Sequence, residues 1–301
     1  MGYLFLGIAL LCGAIKGYCG KKTSGFLREP TDAVLVTLLR MSICILIGIA
    51  MVSFDKTASF AMSPTALAIS LAAGVTSSVF VISWILAVRS GSYMMVDIFL
   101  TAGVVIPIAF CAILYGEKIS LQQIIGCGLL FVAVLIMCSY NSSIKKKITV
   151  SSLILTILAS IGNGCTDLLQ KVYVHTTENG AASVFNFYTY VSATVTLSIV
   201  YAGIMIFGKK KNGDGPEEKK NLKLGKIFPY IFMMAICLFF NSFFKTLAAG
   251  YLDSVILYPI SQVGTMLLAS VVAVVFFKEK MNKKGVLGIV VALCAMLLIN
   301  L

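Results

Sequence analysis

Charged residues are scarce in this chain. Asp, Glu, Lys and Arg make up 12% of its 301 residues, whereas 59% of the residues are hydrophobic. A soluble domain carries about 25% charged residues, so the composition excludes an ordinary soluble fold and indicates a surface that faces lipid. Long apolar runs recur to the last residue, and we expect no separate targeting segment among them.

Groups that carry catalysis or bind metals are also scarce. The single histidine, His175, lies in a predicted loop, and no two aspartates lie within one helical turn of each other. The nine cysteines occur singly without metal-ligand spacing, and we interpret them as packing residues. Because membrane enzymes need convergent catalytic groups, the sequence argues against an enzyme and predicts no metal or cofactor. It also has no Walker-type phosphate loop, which argues against ATP as the direct energy source.

Ten apolar runs are each long enough to cross a bilayer once. A helix rises about 1.5 Å per residue, and the hydrocarbon core is about 30 Å thick. We therefore predict an all-α integral membrane protein with ten transmembrane helices. A long connection over residues 208–227, rich in Lys, Gly and Glu, is predicted to be a flexible solvated loop. The predicted spans are Gly2–Cys19, Ala33–Val52, Ala66–Val88, Tyr93–Tyr115, Leu121–Tyr140, Ser151–Val174, Val184–Phe207, Pro229–Ala249, Ser254–Phe277 and Gly285–Leu301.

The chain is nevertheless basic, with a formal net charge of +12. The bases fall in short clusters between the apolar runs, so we expect contact with a lipid bilayer and not with nucleic acid. The connections after odd-numbered spans hold 18 Lys and Arg residues, whereas those after even-numbered spans hold only Lys56 and Lys118, with Lys171 at the border of the sixth span. By the positive-inside rule, the odd-numbered connections face the cytoplasm and both termini face outward.

A short sequence element occurs twice, each time at the end of a block of five predicted spans. The two copies lie 162 residues apart. Chance is one reading, since Glu-Lys at a helix end is common. The other is an inverted repeat of the kind found in secondary carriers, because a block of five spans reverses its orientation when repeated. On that reading the repeats are residues 1–140 and 151–301. The copies are Glu117-Lys118 with Gly126, and Glu279-Lys280 with Gly288.

The first copy belongs to a longer stretch that runs from Pro107 through Gly116 to Gly126. This stretch resembles the fourth-to-fifth helix signature of the EamA-type ten-helix carriers of the drug/metabolite transporter superfamily. The second copy is similar, but Ala269 stands where the family proline is expected and Lys278 replaces the glycine before the glutamate. The resemblance implies a ten-helix carrier of small solutes. It also implies termini in the cytoplasm, opposite to the charge count.

Polar residues inside the apolar runs are the candidate site. A charge near the bilayer centre costs about 3 kcal/mol or more, so such a residue is expected to face a cavity and to have a partner. The sixth span carries four polar residues at i, i+4, i+7 and i+8, which share one face of a helix. We predict that this face lines a solute cavity; a local Asp167–Lys171 pair is the alternative. The four residues are Asn163, Asp167, Gln170 and Lys171.

Depth along the spans predicts two charge pairs, one on each side of a central site. Lys16 and Asp97 lie toward one membrane face, and Asp167 and Lys245 lie toward the other. In an alternating-access carrier such pairs can act as gates. The alternative is that each lysine snorkels to the nearest headgroups. Asn241, one turn before Lys245, favours a cavity.

Further side chains are predicted to complete the cavity. Tyr258 and Gln262 share a face of the ninth span, next to Pro259. Arg40 in the second span is expected either to snorkel or to bind solute. Four more residues are candidates for the walls, with the interfacial aromatic belt as the alternative for the tyrosines. They are Trp84, Asn186, Tyr188 and Tyr190.

These features favour a secondary transporter that moves a small polar metabolite, or a drug, across the membrane by alternating access. A channel or a structural membrane protein is the alternative, and a membrane enzyme is less favoured. A solute or proton gradient would drive transport, with Asp167 or Asp97 as proton-binding candidates. The charges suit a polar or zwitterionic solute, because an apolar one would leave them uncompensated. We expect the plasma membrane of a bacterium as the location.

Overall fold

The structure is a computed structural model. It describes residues 1–27, 29–55, 58–90, 96, 99–117, 119–141, 150–177, 180–209, 224–278 and 283–300. Over these residues the chain forms ten α-helices and no β-strand. The helices are α1 (Gly2–Ser24), α2 (Pro30–Phe54), α3 (Pro64–Ser90), α4 (Val105–Tyr115), α5 (Leu121–Asn141), α6 (Val150–Thr176), α7 (Ala182–Lys209), α8 (Leu224–Ala249), α9 (Ser254–Phe277) and α10 (Lys283–Asn300).

Within the described ranges, seven helices are long and apolar enough to cross a membrane. They are α1, α2, α3, α6, α7, α8 and α9. The stretches Thr101–Tyr115 and Leu121–Ala133 are apolar but shorter, and α10 has 18 residues. The predicted all-α membrane fold is confirmed, and seven of the ten predicted spans have the length and composition of a membrane helix.

The fourth predicted span is not one continuous α-helix over its described part. A 3-10 turn, Thr101–Val104, precedes α4. Within this turn a Cβ added at Gly103 would collide with the carbonyl oxygen of Ser160 on α6, so the absence of a side chain lets the turn lie directly against that helix. His175 also departs from prediction, because it lies in the last turn of α6 rather than in a loop.

The two residues that end the helices before the copies of the repeated element share one backbone conformation. α4 ends at Gly116 with φ 64° and ψ 26°, and α9 ends at Lys278 with φ 52° and ψ 33°. Both are left-handed conformations, which glycine adopts freely and other residues adopt at a cost. Gly116 and Lys278 are themselves 162 residues apart, the spacing of the repeated element.

The main helix contacts keep their pattern when each helix in one half is exchanged for the helix five places along the chain. α1 packs on α8 and α3 packs on α6, which are exchanged partners. α2 on α8 matches α7 on α3, and α1 on α9 matches α6 on α4. The contact between α2 and α7 and the contact between α5 and α10 are unchanged by the exchange. Helices from the two halves therefore alternate through the bundle.

Large apolar side chains cover the outside of the bundle, and its inside holds apolar, small and polar residues together. Leu46, Ile113 and Ile199 are mostly exposed, as expected for side chains that face lipid. Inside, glycines let helices approach closely. A Cβ at Gly126 would lie 2.9 Å from the carbonyl oxygen of Ala295, so this residue of the repeated element allows α5 to pack tightly on α10.

Candidate functional site

A buried ion pair joins α6 to α8. Lys245 Nζ lies 2.6 Å from Asp167 Oδ1, and the two side chains are only 9% and 6% exposed. The predicted contact between these residues is therefore confirmed. Two residues from α9 also bind Asp167: the Tyr258 hydroxyl donates to its backbone carbonyl at 2.7 Å, and Gln262 Nε2 lies 3.4 Å from its Oδ2. Three helices thus meet at one carboxylate.

A second polar group lies one turn farther along α6. Gln170 Nε2 donates to the Thr246 hydroxyl at 2.6 Å and to the Ser242 carbonyl at 3.2 Å, both on α8. Asn186 on α7 is fully buried, and its Nδ2 lies 3.5 Å from the same Thr246 hydroxyl. This cluster lies closer than the ion pair to the end of the bundle where α6 and α8 finish.

Lys171 belongs to a third group, at that end of the bundle. Its Nζ donates to the carbonyl oxygens of Ala249 and Leu252 at 2.9 and 2.7 Å and lies 3.9 Å from Glu117 Oε1. The prediction that Lys171 lines the cavity is wrong, because the side chain is turned toward the end of α8. These bonds also remove the alternative Asp167–Lys171 pair.

Glu117, from the repeated element, caps a helix in the other half of the chain. Its carboxylate accepts hydrogen bonds from the backbone N–H of Ser254, at 3.2 Å, and from the Ser254 hydroxyl, at 3.1 Å. A carboxylate at a helix N-terminus satisfies a free N–H and opposes the positive end of the helix dipole. The other glutamate of the repeat, Glu279, lies outside the described residues.

Two adjoining cavities, each of about 60 Å³, occupy the centre of the bundle. Such a volume holds a few water molecules and is well below the roughly 300–1,000 Å³ of a ligand pocket. Asp167 and Gln170 line one cavity, and Arg40, Trp84 and Gln262 line the other. The lining shared by both consists of Lys16, Phe80, Asn163, Leu238, Asn241 and Lys245.

Most of the predicted cavity residues therefore lie around one central space, which we call the central cavity. Lys16 lines both parts, with its Nζ 6.0 Å from the centre of the Phe80 ring. Asn241 also lines both and donates from Nδ2 to the carbonyl oxygen of Ala9 at 2.6 Å. Asp97 lies outside the described residues, so the predicted Lys16–Asp97 pair stays a prediction.

Arg40 does not snorkel to the membrane surface. It is 1% exposed and lines the central cavity, so the snorkelling alternative is wrong for this residue. Its Nη1 donates to the thioether sulfur of Met234 at 3.3 Å. Nε and Nη2 find no hydrogen-bond partner among the described residues. Burying a charge without a partner is strongly unfavourable, so this guanidinium is the least compensated group that the structure describes around the cavity.

The predicted wall residues divide into two sets. Trp84 and Tyr190 line the central cavity, and the Tyr190 hydroxyl donates to the Leu238 carbonyl at 3.3 Å. The Tyr188 hydroxyl instead donates to the Phe60 carbonyl at 2.9 Å, near the start of α7 and beyond the last residue of α2. That position fits the interfacial alternative. As for metals, no three His, Cys, Asp or Glu side chains gather as ligands within the described ranges.

Comparison with known proteins finds a solved structure of similar fold and a matching family. A crystal structure of a protein matches the chain with a TM-score of 0.69, covering 99% of this chain and 95% of the other, at 11% sequence identity. At that identity the likeness shows the fold alone. No curated protein matches the sequence. The model of the EamA-like transporter family matches residues 150–301, which is half of the chain.

The chain belongs to the EamA-like transporter family. The resemblance predicted from the repeated element is therefore confirmed, and the protein is an integral multi-pass membrane protein of a family of transporters. The matched residues run from the start of α6 to the end of the chain. They include Asp167, Lys245, Tyr258 and Gln262, so the whole group around the Asp167 carboxylate lies in the EamA-like half.

Sequence reasoning missed the hydroxyl groups of this EamA-like site. The Thr246 hydroxyl, next to Lys245, accepts from Gln170, and Ser242 lines the cavity. Ser261 and Thr265 flank Gln262 on the cavity wall. Serine and threonine are common in membrane helices, where they bond to the preceding turn, so they give little signal alone. Their i,i+4 spacing beside a charged or amide residue is the signal that would have found them.

Proposed function

We propose that this EamA-like protein is a secondary transporter that moves a small polar metabolite across the membrane by alternating access. The observation that carries the proposal is the central cavity, which lies between helices of both halves and ends at the Asp167–Lys245 ion pair. A site near the middle of a bundle, closed by polar contacts toward one end, is the arrangement that alternating access requires. We place the protein in the plasma membrane of a bacterium.

The two moving parts are proposed to be inverted five-helix repeats, residues 1–140 and 151–301. The helix contacts that survive exchange of the halves support this division. The left-handed helix ends at Gly116 and Lys278 support it as well, because they lie at matching positions of the repeated element. Two halves with opposite orientation give a bundle two related conformations, one open to each side.

The layered contacts at one end are proposed to act as the gate. Moving outward from the cavity, α6 contacts α8 and α9 through Asp167, then α8 through Gln170, and last the end of α8 and the connection after it through Lys171. A solute passing this end must separate each layer, and water must replace the lost partners. Separation of Asp167 from Lys245 is the costly step, because it uncovers two charges together.

Flux into liposomes tests the proposal. Purified protein is reconstituted, and uptake of radiolabelled amino acids, organic acids, nucleosides, sugars and amines is measured with and without unlabelled solute inside. We expect uptake of at least one solute to saturate and to accelerate on exchange, and Asp167→Asn to reduce it at least about tenfold. Lys226→Met, an exposed lysine on α8, is the matched control and should leave uptake unchanged. Linear, non-saturating flux would indicate a channel, and absence of flux for every solute class would overturn the proposal.

A further inference from the structure

One edge of the Arg40 guanidinium is directed at no acceptor that the structure describes. Nη1, on the edge nearer Cδ, donates to Met234 Sδ, whereas Nε and Nη2 are the orphaned atoms. Nε–H and one N–H of Nη2 run parallel on the opposite edge of the planar group. The two orphaned nitrogens are therefore adjacent and form a single fork.

That fork matches the geometry of an oxyanion. Two parallel N–H groups bind the two oxygens of a carboxylate, or two oxygens of a phosphate, in a bidentate arrangement that is stronger and more directional than a single hydrogen bond. Thioether sulfur is only a weak acceptor, so Met234 holds the side chain in place without neutralising it. Arg40 lines the cavity while its orphaned nitrogens are buried, so an oxyanion inside the cavity reaches them when the cavity widens on opening.

The charges around the cavity agree with an anionic ligand. Asp167 is already matched by Lys245 at 2.6 Å. Arg40 therefore adds positive charge to the cavity even when Lys16, which lines the same walls, is left out of the count. In surroundings of low dielectric constant a charge of this kind attracts a counter-ion strongly.

The other walls suit a small solute with polar groups and a short apolar part. Asn163, Asn241 and Gln262 present amide groups near Arg40, and Phe80 and Trp84 present aromatic surface. The space of about 60 Å³ admits a molecule of few heavy atoms, or a larger one after the cavity widens on opening. The lining thus offers one strong anion contact and several weaker contacts for the rest of the molecule.

We propose that the solute carried by this protein is a small anion whose carboxylate or phosphate group pairs with the Nε–Nη2 edge of Arg40. The inference rests on the proposed transport function, since it names the class of solute that the central cavity takes. It replaces the broader expectation of a polar or zwitterionic metabolite with an anionic one. Arg40 contacts the solute, while Met234 orients the guanidinium.

Trp84 provides a direct readout of binding in the detergent-purified protein. It is the single tryptophan of the chain, and it lines the same part of the cavity as Arg40. Fluorescence is titrated with matched pairs: lactate and lactamide, succinate and succinamide, glycerol 3-phosphate and glycerol, with putrescine as a cation. We expect at least one anion to change Trp84 emission in a saturable way and to raise the melting temperature, while its neutral partner does neither. The carboxylate and phosphate arms distinguish the two oxyanions.

Variants at Arg40 separate binding from structure. Arg40→Gln should weaken anion binding at least about tenfold, the loss expected for a charge-assisted pair, and Arg40→Lys should also weaken it because lysine has no fork. Arg89→Gln is the matched control, because Arg89 lies at the end of α3 that faces the same side of the membrane as the Arg40 half of α2. This variant should bind the anion normally. Arg40→Met should melt no lower than the wild type without ligand, because it removes a buried, poorly compensated charge.

The outcomes distinguish this inference from the transport proposal. Anion binding without saturable flux in liposomes supports the anion site and contradicts transport. Saturable flux or Trp84 titration by neutral or cationic solutes alone supports transport and overturns the anion site. A large fall in the melting temperature of Arg40→Met, or failure of every anion to bind the wild type, also overturns it. The wild-type titration decides the question even if an Arg40 variant does not fold.

Discussion

At the scale of single residues, Asp167 is the charge that links α6 to both α8 and α9 in the described interior. It accepts from Lys245 and Gln262 through its carboxylate and from Tyr258 through its backbone carbonyl. The carboxylate is thereby held by α8 and α9 at once. Any change in the relative position of α6, α8 and α9 must break at least one of these bonds, so the stability of the closed end depends strongly on this residue.

A double-mutant cycle measures that dependence. Asp167→Asn leaves Lys245 buried without its partner, which should lower the free energy of unfolding by about 3 to 5 kcal/mol. Asp167→Asn combined with Lys245→Met should regain much of the loss, because an uncharged pair needs no compensation. Denaturation in mild detergent should then give a coupling energy of at least about 0.5 kcal/mol. Strictly additive effects would mean that the two side chains do not interact.

The Asp167–Lys245 pair was predictable from sequence, but the position of Arg40 was not. A charge inside an apolar run must be compensated, and depth along two spans then limits which partners are within reach. For Arg40 the same argument leaves two outcomes, because a long side chain can reach the headgroups from several depths. Which one occurs depends on whether α8 covers it, and Met234 and Leu238 show that it does. Lys171 was misplaced for a similar reason, since its partners are backbone carbonyls that carry no sequence signal.

At the scale of helices, the ends of α4 and α9 show how one backbone requirement is met by two different residues. Gly116 and Lys278 both adopt the left-handed conformation that stops the helix. Most helix boundaries were predictable from the apolar runs, within a few residues. The 3-10 turn before α4 was not, because it depends on the close approach of Gly103 to α6 rather than on the composition of the run.

Replacing Lys278 by glycine should stabilise the protein. A residue with a Cβ costs about 1–2 kcal/mol in the left-handed region, and glycine removes most of that cost. We expect Lys278→Gly to raise the unfolding free energy by about 1 kcal/mol, and Gly116→Ala to lower it by a similar amount. Thermal unfolding of the two variants in the same detergent tests both signs. A Lys278→Gly protein that melts below the wild type would contradict the assignment of strain to this position.

The packing of the 3-10 turn on α6 should be sensitive to the addition of one methyl group. A Cβ at Gly164 would collide with the carbonyl oxygen of Gly103, so Gly164→Ala must push the two elements apart. We expect a loss of about 1–3 kcal/mol, typical of overpacking. Gly203→Ala is the matched control, because nothing lies within 4 Å of a Cβ there. The control should be neutral or slightly stabilising, since alanine is the better helix former. Equal melting temperatures for the two variants would exclude a tight crossing.

At the scale of the whole molecule, the orientation in the membrane follows from charge rather than from packing. Exchange of the two halves leaves the main helix contacts unchanged, so the bundle itself has little preference for either direction. The basic residues break that equivalence, because 18 of them lie in the connections after odd-numbered spans. We therefore expect these connections to face the cytoplasm.

Fusion reporters test the orientation. A reporter that is active only outside the cytoplasm should be active after Leu301 and inactive within residues 210–223, the connection between α7 and α8. A cytoplasmic reporter should give the reverse pattern. The opposite result at both sites would restore the orientation implied by the family resemblance and would place the Glu117 end of the bundle in the cytoplasm.

The polar layers between α6, α8 and α9 also determine how temperature affects the opening of this end. The described polar contacts among these helices are hydrogen bonds and one ion pair, and they lie beside apolar contacts of Val174, Leu252 and Val255. Separating such layers exchanges protein partners for water and uncovers little apolar surface. Newly exposed apolar surface raises the heat capacity, and polar surface lowers it. The polar layers should therefore reduce the heat-capacity change of opening, so that its rate follows a straighter Arrhenius line than separation of the apolar contacts alone would give.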